Sequence, residues 1–441
     1  MQQYDVIVIG GGPGGLAAAY PLASAGKKVL VVERDLWGGT CPNYGCDPKK
    51  MLYSAVQAKT YAARMTKAGL NGIPDINWPK LMAFKRAYTR TVPSGTRNGV
   101  TGAGMMAVDG EARFIDEHTI AVGEDLYEGQ DIIIATGVQP VLPDIKGREL
   151  IATSRDFLDM DHLPQHIAFI GAGYVSMELA NIAAAAGAEV DVIMHGDRAL
   201  RAFPAAAVDA LQKAMQNEHI HFNENIELKR VDETPQGTLR LQADDFTLDV
   251  QRVFAAMGRR PDEQLHLNRA HVKTTARGIV VNEFLETTTP HIYAIGDVAA
   301  TSQPKLTPVA GFDGRYVAEH LLGNAAPIAY PAIPTTVYGS LEISKVGVSP
   351  EDAEGDDRYV VKSEDVTHWY TYNRTQETFA SVTVVEEKAT NLIVGATVVS
   401  SSAESLVNLL TMAINTKTPA DQVQKMVFAY PSEASDMDYL L

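Results

Sequence analysis

The chain has 441 residues, 46% hydrophobic and 21% charged, which are ordinary globular values and enough length for about two to four domains. Its formal charge of −16, from 38 basic and 54 acidic residues, argues against nucleic acid or an anionic membrane as the main partner. The opening apolar run from Tyr4 to Gly10 is too short for a signal peptide or a membrane span, so a soluble cytoplasmic chain is expected.

Asp5 to Ile9 reads as a short strand that runs into G-x-G-x-x-G at Gly10, Gly12 and Gly15. An alanine-rich helix follows from Leu16 to Ser24, then a second strand of four aliphatic residues that ends in Glu33. Strand, glycines, helix, strand and acid together form a dinucleotide-binding fingerprint. The first glycine permits the tight turn, the second lets backbone approach a pyrophosphate, and the third packs helix on strand. The helix N-terminus favours phosphates, and Glu33 suits a pair of ribose hydroxyls.

Next comes Thr40-Cys41-Pro42-Asn43-Tyr44-Gly45-Cys46-Asp47-Pro48-Lys49-Lys50, which holds both cysteines of the chain. Four intervening residues can close a small ring, with Pro42 and Gly45 shaping its turn. Such a ring constrains little unfolded-chain entropy, and a chain this long buries a core without it, so a structural staple is the weaker reading. Two inert core thiols are the plain alternative. In a reducing compartment a lone pair points instead to catalytic or sensing chemistry.

A helical stretch around Pro79 to Thr91, strand-rich turns from Gly104 to Val122 and an apolar strand from Ile132 to Ala135, ending in Thr136-Gly137, come next. About 160 residues after the first fingerprint the pattern returns. A strand from Ile167 to Ile170 meets Gly171 and Gly173, a helix carrying Tyr174 and Glu178 follows, and Glu189 to Met194 forms the next strand. Ser176 stands where a third glycine would be. Two fingerprints imply two dinucleotides, for which a flavin carrier and a nicotinamide are one candidate pair. From Pro331 onward the strands Thr335 to Tyr338, Phe379 to Val385 and Leu392 to Val399, then a helix from Ala403 to Asn415, suggest an α+β domain. Met412, Met426 and Phe428 read as core, and the acidic run Glu351 to Asp357 as a solvated turn.

Four blocks resemble the pyridine nucleotide-disulfide oxidoreductases, the two-cysteine flavoproteins that include glutathione reductase, dihydrolipoamide dehydrogenase and mercuric reductase. They are the first glycine fingerprint, the C-x-x-x-x-C segment, the Ala135-Thr136-Gly137 strand end, and Thr288 to Asp297, read T-T-P-H-I-Y-A-I-G-D. The resemblance implies an α/β chain with two Rossmann-like dinucleotide-binding domains and a C-terminal α+β dimerisation domain. The expected boundaries are residues 1–150 and 265–330 for FAD, 151–264 for NAD(P)H, and 331–441 for a homodimer interface. It also implies that Asp297, Lys50 and Thr40 contact FAD, and that Cys46 is the flavin-side thiol and Cys41 the interchange thiol. In the same way, Lys49 would lie beside the flavin paired with Glu178, and Tyr174 would cover the nicotinamide pocket. Gly258 and Arg259 match the turn that closes the nicotinamide domain.

After the second strand of the second fingerprint, His195 and Arg201 fall where NADPH-using relatives carry arginines, with no acid at the strand end. NADPH is therefore expected over NADH, and no metal is called for. The departures concern the substrate. Tyr430 replaces the histidine of the family's closing His-Pro-Thr segment, and Ser435 occupies the position of the orienting glutamate. A phenol with its usual pKa near 10 is a poor base at neutrality. Tyr20 and Thr96 replace residues that bind glutathione, and without a third cysteine mercury is disfavoured. The expected function is reduction of a small, glutathione-like disulfide. A diaphorase passing electrons to quinones, metal ions or oxygen and a non-enzymatic redox sensor remain the alternatives.

Overall fold

The computed structural model describes residues 2–261 and 264–441. The chain divides into two compact units. The first comprises Met1–Lys50, Ala83–Val141 and Gly258–Ala329, and the second Met51–Met82, Leu142–Met257 and Tyr330–Leu441.

In the first unit Gln2–Ile9 is the middle of a parallel set, paired on one side with Val29–Glu33 and on the other with Asp125–Ile134. Met106–Asp109 extends the set beyond Val29–Glu33, and Ile292–Ala294 pairs in parallel with Asp125–Ile134. Ala112–Phe114 and Thr119–Val122 finish the sheet with antiparallel pairings. Val6, Ile7 and Val8 are successive and all fully buried, as a parallel strand covered on both faces requires. The register sets Ile9 beside Val32 and Ile134, so the turns after these three strands leave the same edge of the sheet. That edge is where open α/β sheets bind ligands. The helix Pro13–Ser24 leaves from it with proline in its first turn, where the missing N–H costs nothing.

The second unit repeats the device. His166–Ile170 lies between Glu189–Ile193 and Arg252–Ala255 in a five-stranded sheet whose pairings are all parallel. The helix Tyr174–Ala185 is buried continuously from Ser176 to Ala183, on all its sides rather than along one stripe, with Ser176, Glu178 and Asn181 among the buried residues. The unit also contains an antiparallel sheet in the order Thr335–Val337, Glu342–Gly347, Leu392–Ser400, Ser381–Glu387 and Tyr359–Asp365. The helix Ala403–Asn415 buries Leu406, Val407 and Leu410 in the core of that sheet. These are two Rossmann-like folds and an α+β C-terminal portion, as the sequence implies. Among the described residues no helix is long and apolar enough to cross a membrane.

Two expectations need correction. Met412 and Met426 are exposed, at 59% and 49%, not core; Met412 sits off the Leu406–Val407–Leu410 stripe, and only Phe428 packs partly inward. The acidic run is not simply a turn, because Pro350–Ala353 is a short helix capped by the Ser349 hydroxyl. Within it Glu351 accepts a hydrogen bond from the N–H of Ala205 at 2.7 Å.

Candidate active site

The first glycine turn is built for close approach. Gly10 has φ +118°, and a Cβ there would come within 2.7 Å of the Ala135 carbonyl carbon. Gly12 is extended backbone, which any residue adopts, so only a ligand pressed against it calls for glycine. Glu33 ends its strand buried, its two oxygens accepting from the N–H groups of Gly11 and Asp35 at 2.8 Å each. Burial pushes its pKa up while those N–H donors pull it down.

Across the same strand edge, the Thr136 hydroxyl is buried with no partner among the described residues, and Gly137 turns the chain with φ +63°. An orphaned hydroxyl beside a glycine cradle is what a polar, phosphate-bearing cofactor would satisfy. Asp297, in the turn Gly296–Val298, is raised in pKa by burial, with Lys305 and Arg259 opposing. Lys305 donates to the Asp297 carbonyl, and Arg259 braces the segment after Gly137 by donating to the Val138 carbonyl at 2.8 Å. Gly258 and Arg259 thus belong to the first compact unit, with the residues of the first fingerprint.

The two cysteines are both in the reduced form, with no disulfide between them. Cys41 lies in the short helix Thr40–Tyr44 and is half-buried, whereas Cys46 is exposed and opens the 20-residue helix Cys46–Met65. The Asn43 amide fixes the loop between them by donating to the carbonyls of Trp37 and Gly39, at 3.0 and 2.8 Å. Cys46 Sγ is 3.5 Å from the Thr307 hydroxyl, and the helix N-terminus beneath it favours a thiolate. Cys41 is treated differently. The neighbouring Cys46, then burial, push its thiol pKa up, and Asp47 adds to the effect against the Thr307 hydroxyl. Lys49 and Lys50, half-buried, follow three and four residues after Cys46 and share its side of the helix.

Three neighbours of the thiols were not singled out from sequence: Asp47, Tyr88 and Thr307. The sequence signal for Asp47 was an acid directly after a cysteine at a helix start. Tyr88 and Thr307 come from distant helices and carried none.

In the second unit Gly171 has φ +103°, and a Cβ there would lie 2.6 Å from the Ala256 carbonyl oxygen. Gly173 faces open space among the described residues. Ser176 is fully buried, and its hydroxyl donates to the Gly171 carbonyl at 2.5 Å, so the serine stitches the turn that glycine merely permits in the first fingerprint. Tyr174 is 45% exposed at the start of its helix, and Glu178 is buried, accepting from the Tyr338 N–H at 3.0 Å. His195 is exposed and the Arg201 guanidinium lies over Gly196, which brings that cation to the turn after Glu189–Ile193.

At the far end of the chain Tyr430 is 72% exposed and stacks on Tyr370, ring centroids 6.1 Å apart. Ser435 is occupied in a capping turn with Ser432 and orients nothing at Tyr430. Asp436 turns inward to accept from the Thr371 hydroxyl at 3.1 Å. Glu433 accepts from Ser402 and Ser400 at 2.7 and 3.1 Å, and burial pushes its pKa up to about 7.

Two nucleotide-type turns, a thiol pair at a helix start and a separate antiparallel C-terminal sheet define a flavoprotein of the disulfide-reductase kind. The family described as pyridine nucleotide-disulphide oxidoreductase matches residues 4–314, and its dimerisation domain matches residues 333–439. The chain belongs to this family of FAD- and pyridine nucleotide-dependent oxidoreductases, and the second match supports a homodimer. It is 31% identical to a glutathione reductase of Nostoc sp., over 98% of each chain. It is 30% identical to a dihydrolipoyl dehydrogenase of Bacillus subtilis, over 97% of this chain and 93% of that one. A solved Cu(II) complex of the HOCl-induced flavoprotein disulfide reductase RclA from Escherichia coli has the same fold. Its TM-score is 0.91 at 24% identity, covering 100% of this chain and 99% of that one.

Proposed function

We propose that this enzyme takes electrons from NADPH in preference to NADH and delivers them to a small, glutathione-like disulfide, with Cys46 as flavin-side thiol and Cys41 as interchange thiol. The observation that supports the reading is a cysteine pair in which Cys46 opens the helix Cys46–Met65, whose N-terminus favours a thiolate, with Cys41 in the short helix just before it. Gly10, Gly12, Gly15 and Glu33 would hold the adenine-side half of FAD, and Thr40, Thr136, Gly137 and Asp297 the remainder. Lys50 would contact FAD as well, and Lys49, on the side of the helix that carries Cys46, would stabilise negative charge on the reduced flavin. Gly171, Gly173 and Tyr174 would receive the nicotinamide dinucleotide, with His195 and Arg201 on its 2′-phosphate.

Bound FAD supplies the two-electron relay from nicotinamide to the Cys41–Cys46 disulfide. The chain's own part is exchange. Cys41, once deprotonated, attacks one sulfur of the substrate disulfide and forms a mixed disulfide as the first thiolate leaves. Cys46 then attacks Cys41 and re-forms the internal disulfide as the second thiolate leaves. Each departing thiolate takes a proton, so two electrons and two protons are delivered.

A diaphorase is the second reading, favoured by Tyr430, because quinone or metal-ion acceptors need no thiol proton donor. Anaerobic NADPH titration of two variants tests the assignment. Cys41→Ser should keep the long-wavelength thiolate–flavin band and lose disulfide reduction, and Cys46→Ser should lose both. Equal spectra would overturn the roles. Absent disulfide turnover beside vigorous quinone reduction in the parent enzyme would favour the diaphorase.

A further inference from the structure

The acid that follows Cys46 points at the other cysteine. Cys41 donates from Sγ to Asp47 Oδ1 at 3.7 Å, and the Tyr88 hydroxyl donates to the second oxygen, Oδ2, at 2.6 Å. Asp47 stands in the first turn of Cys46–Met65, where an acid is stabilising without any further role. That bland role leaves both oxygens free to face water. Here each is engaged, one by the reacting sulfur and one by a phenol from the helix Trp78–Thr89. The groups facing Cys41 are Cys46 and Asp47 on its C-terminal side, Tyr88 from that helix, and the Thr307 hydroxyl from Thr307–Leu321.

We propose that Asp47, oriented by Tyr88, adds to the hold that Cys46 has on the Cys41 proton in the reduced enzyme and thereby raises the pH above which this sulfur becomes a nucleophile. The inference rests on Cys41 being the interchange thiol. A carboxylate is a hydrogen-bond acceptor only, so it favours the thiol over a thiolate a few ångströms away. The helix N-terminus acts in the opposite sense on Cys46. The two sulfurs are thus biased in opposite directions, Cys46 toward thiolate and Cys41 toward thiol. Exchange begins when the Cys41 S–H proton leaves. Its sulfur then bonds to one sulfur of the substrate disulfide, the substrate S–S bond breaks, and the released thiolate takes up one proton. The dithiol is oxidised as Cys46 displaces the second thiolate.

The test is Cys41 reactivity itself. The holoenzyme is reduced with excess dithiothreitol, freed of reductant anaerobically, and labelled with iodoacetamide between about pH 5 and 10, where free thiols titrate. Labelling of Cys41 and Cys46 is read separately by peptide mass spectrometry. Asp47→Asn keeps shape and the Tyr88 contact but removes the charge, so the Cys41 midpoint should fall while the Cys46 contact remains. Asp47→Ala should do the same, and covers the case in which the asparagine variant folds poorly. Tyr88→Phe, which frees the carboxylate to turn to water, should lower the midpoint by a smaller step. A Cys41 midpoint unchanged or raised in both Asp47 variants overturns the proposal. An unchanged midpoint in Tyr88→Phe removes the tyrosine from it. Labelling needs neither nicotinamide nor substrate. A missing shift therefore sinks this inference alone, and missing disulfide turnover beside an intact shift sinks the functional reading alone.

Discussion

Replacing Gly15 by alanine should break the first dinucleotide unit, whereas replacing Gly12 should leave the fold standing and weaken only what binds there. A Cβ on Gly15 would drive into the Gly10 carbonyl oxygen and lie 3.0 Å from Val8 Cγ1. The oxygen belongs to backbone and Val8 is fully buried in the central strand, so neither can swing aside and the helix Pro13–Ser24 must lift off the sheet. Overpacking of that kind costs about 1–3 kcal/mol where side chains can adapt, and the upper end or more is expected where backbone must move. At about 2–4 °C per kcal/mol, the melting temperature should fall by roughly 6–12 °C, with flavin lost on purification. A Cβ on Gly12 meets nothing closer than Gly39 Cα at 3.6 Å, an ordinary contact, and its backbone is extended. Gly12→Ala should therefore melt within about 2 °C of the parent's flavin-free form while its flavin occupancy falls. The assay is thermal melting with and without added FAD, beside flavin-to-protein absorbance ratios. A Gly15→Ala protein with parental melting temperature and full flavin would refute the packing argument. A Gly12→Ala protein with full flavin would refute the claim that only the ligand requires that glycine.

Arg201→Ala should narrow the preference for NADPH over NADH by about 1.5–3 kcal/mol, roughly tenfold or more in kcat/KM, because a charge-assisted contact is removed. A parent enzyme that prefers NADH would refute that. Glu433 has a folded pKa of about 7 against an ordinary 4.5, so its contribution to stability is present below about pH 4.5 and is lost as pH rises through about 7. Glu433→Gln should flatten that fall, worth about 3 kcal/mol, and a melting curve as steep as the parent's across this window would contradict it. Tyr430→His with Ser435→Glu should raise disulfide turnover near neutral pH, where acid–base assistance is typically worth about 10²–10⁴-fold. No gain on any disulfide, with quinone reduction undiminished, would favour the diaphorase.

The sheets and glycine turns were legible because their information is local. Alternating burial is absent from Val6 to Val8, and the aliphatic run with glycines at fixed offsets reads as a covered parallel strand without any tertiary knowledge. The helix Ala403–Asn415 was legible to the residue for a similar reason, through its apolar spacing. Met412 was misread because an apolar residue in an apolar helix says nothing about which side it faces until the sheet beneath is fixed. The surroundings of the thiols were invisible for another reason. Tyr88 and Thr307 reach Asp47 and Cys46 from 41 and 261 residues away, and no short-range pattern encodes such meetings.

The two cysteines and the C-terminal segment together frame the proton problem of this enzyme. Disulfide exchange needs one group that gives up a proton near neutrality, and the segment that would supply it carries a phenol exposed to water, with Ser435 turned into its own capping contact. The carboxylate within reach of Cys41 has the opposite defect, since it accepts from the thiol and opposes a second negative charge there. Neither an exposed phenol in the C-terminal segment nor a carboxylate that accepts from the thiol is suited to take the Cys41 proton near neutrality. A catalyst so arranged gains speed chiefly from the growing thiolate fraction of Cys41, and its disulfide activity should climb through the alkaline range without a neutral plateau. Tyr370, Val427, Tyr430 and Tyr439 are all exposed in the portion matched to the dimerisation domain, at 60%, 99%, 72% and 75%. Large apolar side chains left open in this way are suited to burial against a second copy. The stack of Tyr430 on Tyr370 is then a preorganised feature of that surface, which an imidazole at position 430 would have to reproduce before it could act on a thiol.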